Sequence, residues 1–116
     1  MCIRDSLPAL LRSIRVTEKA ARVGFDWTFA EDVLDKVIEE AHELKAAIKS
    51  RKQEEISAEL GDLLFSLANF ARHIDVDPEE ALRHTIDRFT RRFEWVETAL
   101  IERGDVLGKT LSLIHI

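Results

Sequence analysis

Two acidic pairs carry the clearest capacity for chemistry in this sequence. Glu39-Glu40-Ala41-His42-Glu43 is followed by Glu59-Leu60-Gly61-Asp62, so Glu40 and Glu43, like Glu59 and Asp62, stand three residues apart. On a helix that spacing puts both carboxylates on one side, and two antiparallel helices can bring the pairs face to face. Four convergent carboxylates need cations. Mg²⁺ takes oxygen ligands, keeps several waters and is commonly held by a few carboxylates together with substrate phosphates. It is therefore the expected ion, with Mn²⁺ as the alternative, and phosphate chemistry is the expected use.

Two blander readings compete. A Glu-rich helix face can simply be solvated, and a cluster of acids can be neutralised by Lys or Arg instead of metal. Asp62 weighs against the first, because Leu60, Leu63, Leu64 and Phe65 around it predict little water. A partly buried carboxylate is costly unless paired or coordinated. Asn69 is a second polar intrusion on the same side, either a site residue or a satisfied core amide. Glu39-x-x-His42 also matches the Glu-x-x-His element of di-iron helical bundles. Such bundles need two copies, which leaves His42 as a surface residue or one beside the site.

Farther along, His84, Arg88, Arg91, Arg92 and Trp95 share one side of a predicted helix. Arg binds phosphate oxygens in bidentate fashion, so a basic helix beside an acidic, metal-holding pair suits a polyphosphate. The competing reading pairs these Arg residues with Asp87, Glu94 and Glu97 on an exposed face.

The elements that must position these residues are all helical. The first is expected over about Leu7 to Val23, with Leu10, Leu11, Ile14 and Ala21 inward and Gly24 as its C-terminal stop. Thr28-Phe29-Ala30-Glu31 reads as a capping box opening the second helix. That helix runs to about Ser50, with Leu34, Val37, Ile38, Ala41, Leu44 and Ile48 as its apolar stripe. A polar turn at Ser50-Arg51-Lys52 leads to a third helix over about Gln53 to Ile74. Asp77-Pro78-Glu79-Glu80 opens the fourth, which reaches about Arg103 with Leu82, Ile86, Phe89, Phe93, Val96 and Leu100 inward. No strand-like alternation is present, so the fold class is all-α, an antiparallel four-helix bundle. From Leu60 to Ala71 the third helix is apolar nearly all round, as a helix buried on more than one side would be. A homodimer that packs this helix at or near its interface is expected to complete the core.

Composition narrows the class further. The net charge of −5 is a poor match to non-specific nucleic-acid binding. No apolar run approaches a membrane span, and no charged-then-apolar leader precedes the chain, so a soluble cytoplasmic protein without membrane partners is expected. The terminal segments Met1-Cys2-Ile3-Arg4-Asp5-Ser6 and Leu111-Ser112-Leu113-Ile114-His115-Ile116 are translations of reverse-complementary DNA and read as sequencing-adapter sequence at positions 1–6 and 111–116. The interpretable domain is then 7–110, and it holds no cysteine, hence no disulfide framework and no thiol chemistry.

Glu-Glu-x-x-Glu followed by Glu-x-x-Asp resembles the signature of the MazG-type all-α nucleoside triphosphate pyrophosphohydrolases. The likeness extends to Ala21-Arg22-Val23-Gly24-Phe25-Asp26-Trp27, Asp35-Lys36-Val37-Ile38-Glu39-Glu40, Glu59-Leu60-Gly61-Asp62-Leu63-Leu64-Phe65, Asn69-Phe70-Ala71-Arg72-His73 and Arg88-Phe89-Thr90-Arg91-Arg92-Phe93, in the family's order. The pattern looks closest to the C-terminal of the two MazG domains of full-length members. The resemblance implies cleavage of a nucleoside triphosphate between its α and β phosphates, giving monophosphate and pyrophosphate, with water and no covalent nucleophile. It implies Glu40, Glu43, Glu59 and Asp62 as Mg²⁺ ligands, and Lys36, Arg88, Arg91 and Arg92 on the phosphates. Asn69 and Glu55 would line the site, Phe25 and Trp27 would help form the nucleotide pocket, and Glu39 is the candidate for assisting proton transfer. Family members continue beyond the fourth helix in an acidic, helix-forming tail, so the domain is expected to be C-terminally truncated here. Narrower relatives acting on dUTP, dCTP or phosphoribosyl-ATP, and a non-catalytic dimerisation or nucleotide-sensing module, are the alternatives.

Overall fold

The computed structural model describes residues 7–104, so both adapter-like segments lie outside the described residues. It contains four helices, α1 (Ala9–Arg22), α2 (Ala30–Ser50), α3 (Gln53–His73) and α4 (Pro78–Arg103), and no strand among the described residues. The all-α expectation is met. Among those residues, no helix is long and apolar enough to cross a membrane. The chain divides after Glu79 into a first unit carrying α1 to α3 and a second carrying the body of α4.

Local chemistry sets most helix ends. At the end of α1, the Gly24 amide donates to the Ala21 carbonyl and the Phe25 amide to the Ala20 carbonyl, each at 3.0 Å, with Gly24 at φ +85°. This is a Schellman termination, in which a left-handed residue just past the helix lets the chain satisfy the last carbonyls. The end of α3 repeats it with Asp75 at φ 56° and the Val76 amide reaching the Ala71 carbonyl. At Gly24 an added Cβ would meet nothing within 4 Å, so only backbone strain opposes a side chain. Gly24→Ala is expected to destabilise the fold by about 1–2 kcal/mol, read as a lower denaturant midpoint at unchanged m-value. Asp77 caps α4 as expected, its Oδ1 accepting the Glu79 amide at 3.0 Å.

The capping box at Thr28 does not form. Phe29 occupies the N-cap position of α2 in an extended conformation, without a side-chain cap bond, and the Asp32 amide turns back to the Phe29 carbonyl. The helix thus starts one residue later than the motif requires, and Glu31 and Asp32 in its first turn answer the positive end of the helix dipole.

In the first unit α2 and α3 form a hairpin through Arg51 and Lys52, with Arg51 left-handed at φ 58°, and α1 packs on α3. The seam is built from small and β-branched residues: Val33 and Val37 on α2, Ala68 and Ala71 on α3, with Thr17 and Ser66 also buried. The predicted stripe of α2 is rotated. Val37 is inside, but Leu34, Ile38 and Ile48 are exposed, and Val33 and Glu40 are buried instead. Both flanks of α2 are apolar, and the chain's own core uses the one that brings Val33 and Val37 against the alanines of α3. For the same reason α3 is not enclosed on several sides: Leu60, Leu64, Phe65 and Leu67 are all more than 40% exposed.

Within the second unit, Phe89 and Phe93 stack one turn apart with ring centroids 6.5 Å apart. Of the predicted inward stripe, Leu100 is buried and Phe93 and Val96 are half-buried, whereas Leu82, Ile86 and Phe89 are exposed.

Candidate functional site

The rotation of α2 turns Glu40 into the interior, where it is 6% exposed. Lys36, one turn earlier, reaches its Oε1 with Nζ at 3.0 Å and Glu39 Oε2 at 3.5 Å. Hydrogen bonding to Glu40 is the main cause that raises the Lys36 ammonium above its ordinary pKa, with the charge of Glu39 assisting. Among the described residues Glu40 Oε2 has no hydrogen-bond partner, nor has Glu59 Oε2 on the facing helix; both atoms are buried. Buried acceptors of this kind cost free energy unless something donates to them or coordinates them.

Glu43, one turn past Glu40, completes the group. One carboxylate oxygen from each of Glu40, Glu43 and Glu59 lies within 4.8 Å of the others. The charge of Glu40 is the leading cause that pushes the Glu43 carboxyl above its usual range, followed by burial and then by a hydrogen bond to Glu40 and the charges of Glu59 and Glu39. Such a trio is held together by the helices against its own repulsion. The surplus negative charge and the two orphaned oxygens are what a hard divalent cation would answer.

Three of the four predicted ligands therefore meet, and the fourth stands differently. Asp62 is exposed, contrary to the expectation of a partly buried acid. Its neighbours Leu60, Leu64 and Phe65 are themselves uncovered and exclude little water in a single chain. Asp62 lines a cavity of about 280 Å³ together with Lys36, Glu40, Phe65, Asn69 and Trp27. That cavity gathers five residues the sequence singled out.

Glu39 is exposed and lies apart from the trio, beside Lys36, Asp32, Asp35 and Trp27 on a shallower cavity of about 220 Å³. Glu55 is exposed and pairs with Lys52 at 3.7 Å. His42 is exposed and outside the carboxylate trio, so the di-iron pattern gains nothing from the fold. Arg88, Arg91 and Arg92 are exposed on α4, in the second unit. Phe25 and Trp27 line an apolar cavity of about 540 Å³ with Val16, Thr17, Phe65 and Asn69. This cavity and the charged one share Trp27, Phe65 and Asn69 as a common wall.

Sequence reasoning missed a polar cluster behind that wall. Asp26 Oδ1 accepts from Arg72 Nη2 at 2.7 Å, from His73 Nε2 at 2.8 Å and from the Trp27 amide at 2.9 Å. A carboxylate accepts only, so the His73 tautomer is the one with its proton on Nε2. Burial pushes the Asp26 carboxyl up, but the bonds from Arg72, His73 and the Trp27 amide outweigh it and bring the pKa down to about 2. Arg72 also donates from Nε and Nη2 to Asn69 Oδ1, at 3.1 and 2.8 Å. Its partners Asp26 and Asn69 stand on different elements, and no spacing rule links residues so far apart in sequence. The signals were an Asp inside the connector between two helices and the family-like segments 21–27 and 69–73 that hold the cluster's members.

The chain is 45% identical over 105 residues to a protein of Thermotoga maritima named nucleoside triphosphate pyrophosphohydrolase/pyrophosphatase MazG, covering 90% of this chain and 40% of that protein. It is 43% identical over 107 residues to the nucleoside triphosphate pyrophosphohydrolase of Escherichia coli, covering 88% of this chain and again 40% of the relative. The chain thus spans about two fifths of the length of these curated relatives. Residues 30–97, which contain all four acidic candidates, match the MazG nucleotide pyrophosphohydrolase domain, and the chain belongs to that family.

Proposed function

We propose that this domain hydrolyses nucleoside triphosphates to the monophosphate and pyrophosphate, using Mg²⁺ held by Glu40, Glu43 and Glu59 with Asp62 at the edge of the site. One observation carries the reading: two buried carboxylate oxygens without a partner among the described residues sit in a trio of acids, one of which, Glu40, also lines a cavity of about 280 Å³ with Lys36, Asp62 and Asn69. The donor set is all oxygen, which fits Mg²⁺ or Mn²⁺ and disfavours softer ions. When bound, the ion supplies charge neutralisation at the phosphates and lowers the pKa of water.

The chain's own residues supply the rest. Lys36 is held as an ammonium by Glu40 and stands at the cavity edge, where it can meet a phosphate oxygen. Phe25, Trp27 and Phe65 offer the apolar slot for the nucleoside. Arg88, Arg91 and Arg92 are assigned to the triphosphate by the family resemblance and by the affinity of guanidinium for phosphate. Glu55 is assigned to the site's rim on the resemblance alone. Glu39, exposed and beside Lys36, is the proposed acceptor of the water's proton. The uncovered Leu60, Leu64 and Leu67 of α3, with Leu34 and Ile38 of α2, support a homodimer that buries them, since large exposed apolar patches mark interfaces. We place the protein in the cytoplasm, with residues 7–110 as the catalytic domain.

The test is product analysis with a panel of ribo- and deoxynucleoside triphosphates, including dUTP, dCTP and phosphoribosyl-ATP, with Mg²⁺ and with chelator. Equal amounts of monophosphate and pyrophosphate, formed only with the metal, are expected. Release of orthophosphate would reject cleavage between the α and β phosphates, and no hydrolysis of any member would reject the reading in favour of a non-catalytic module.

A further inference from the structure

Asn69 stands where the apolar and the charged cavities meet, and its amide has two chemically different ends. Arg72 has donors only, so it fixes the Asn69 carbonyl toward itself through two bonds, Nε at 3.1 Å and Nη2 at 2.8 Å. The Nδ2 donors are thereby left for the cavity side. The same Nη2 also donates to Asp26 Oδ1 at 2.7 Å, in the connector that carries Phe25 and Trp27. His73 holds the same Asp26 oxygen at 2.8 Å. One side chain of α3 therefore ties together the two features that shape the larger cavity, its aromatic wall and its polar corner. That connector starts from a left-handed glycine, with the Phe25 amide tied back to the Ala20 carbonyl of α1, and Asp26 ties it to α3.

We propose that Arg72 is a positioning residue for nucleoside recognition: by holding Asp26 and Asn69 together it sets the aromatic wall and aims the Asn69 amide donors at an acceptor atom of the bound base or sugar. The assignment rests on the proposed function, but it concerns a residue outside the metal and phosphate machinery. It requires that the nucleoside occupy the cavity of about 540 Å³, a volume in the usual range for small-molecule pockets, and the phosphates the smaller charged one. A site built to donate to a ligand acceptor discriminates strongly against ligands that lack it. Loss of Arg72 therefore weakens selection among bases as well as affinity.

The experiment compares wild type with Arg72→Met and Arg72→Lys, using hydrolysis of a preferred triphosphate, equilibrium binding of its non-hydrolysable α,β-methylene analogue, and inhibition by inorganic tripolyphosphate. Methionine keeps the length and removes every donor. Lysine keeps the charge but reaches one acceptor at a time. For Arg72→Met, KM and the analogue Kd are expected to rise about tenfold or more, kcat to change by less than about threefold, and the tripolyphosphate inhibition constant to stay the same. Arg72→Lys is expected to fall between, and it decides the matter should the methionine variant lose its helical circular dichroism. A nucleotide KM within about twofold of wild type, or a tripolyphosphate constant that rises in parallel, would overturn the assignment. Wild-type protein that neither binds the analogue nor hydrolyses the substrate would instead bring down the functional reading, and this inference with it.

Discussion

Glu40→Gln is expected to lower pyrophosphate release by about 10³-fold, roughly 4 kcal/mol of transition-state stabilisation, while leaving the helical content unchanged. Glu40 is the pivot of the trio. It is the most buried acid of the trio, it presents one oxygen to Lys36, and its other oxygen has no hydrogen-bond partner among the described residues. Glutamine preserves the shape but replaces one oxygen by a donor, which cannot ligate a cation. The fold should tolerate the change, because the loss of the Lys36 ion pair is offset by relief of repulsion from Glu43 and Glu59. Glu59→Gln should behave alike, since its buried Oε2 is the counterpart on α3. Circular dichroism and initial rates at saturating Mg²⁺ measure both properties on one sample. Turnover within about threefold of wild type would remove these carboxylates from the mechanism.

The parts of this protein that were readable from sequence are those decided by local chemistry. Gly24 stops α1 because the chain must adopt a positive φ there, and Asp77-Pro78 starts α4 because an acceptor and a missing amide both suit a helix N-terminus. The carboxylate trio was readable because spacing of three on a helix is geometry, not context. Context decided the rest. Nothing in Leu34, Ile38 and Ile48 distinguishes them from Val33 and Val37 as core residues, since α2 is apolar on two flanks and the choice depends on the alanine seam of α3. Asp62 was expected to be shielded by leucines that turn out to be exposed themselves. Thr28 was a plausible cap in isolation, but the connector held by Arg72 and His73 ends a residue later. The Asp26 cluster depends on the fold bringing distant residues together, which local rules do not report.

Addition of Mg²⁺ is expected to raise the melting temperature, and the size of the rise should depend on pH. The sign follows from Glu43. Its folded pKa lies above the ordinary 4.5, chiefly through the charge of Glu40, so its contribution to stability without cation is fully present below that value and is lost as pH rises through the folded pKa. At neutral pH the trio is therefore a source of strain that a bound cation removes. At ion concentrations about a hundredfold above Kd, binding contributes about 2.7 kcal/mol, or a rise on the order of 10 °C for a domain of this size. Toward pH 5 protons compete for the same oxygens, and the rise should shrink. Differential scanning fluorimetry with Mg²⁺ and with chelator, at neutral pH and near pH 5, measures the effect without any need for turnover. Glu40→Gln should abolish the difference between the two conditions. A melting temperature that ignores Mg²⁺ in the wild-type protein would mean that the buried oxygens of Glu40 and Glu59 are satisfied some other way, and the metal assignment would fall.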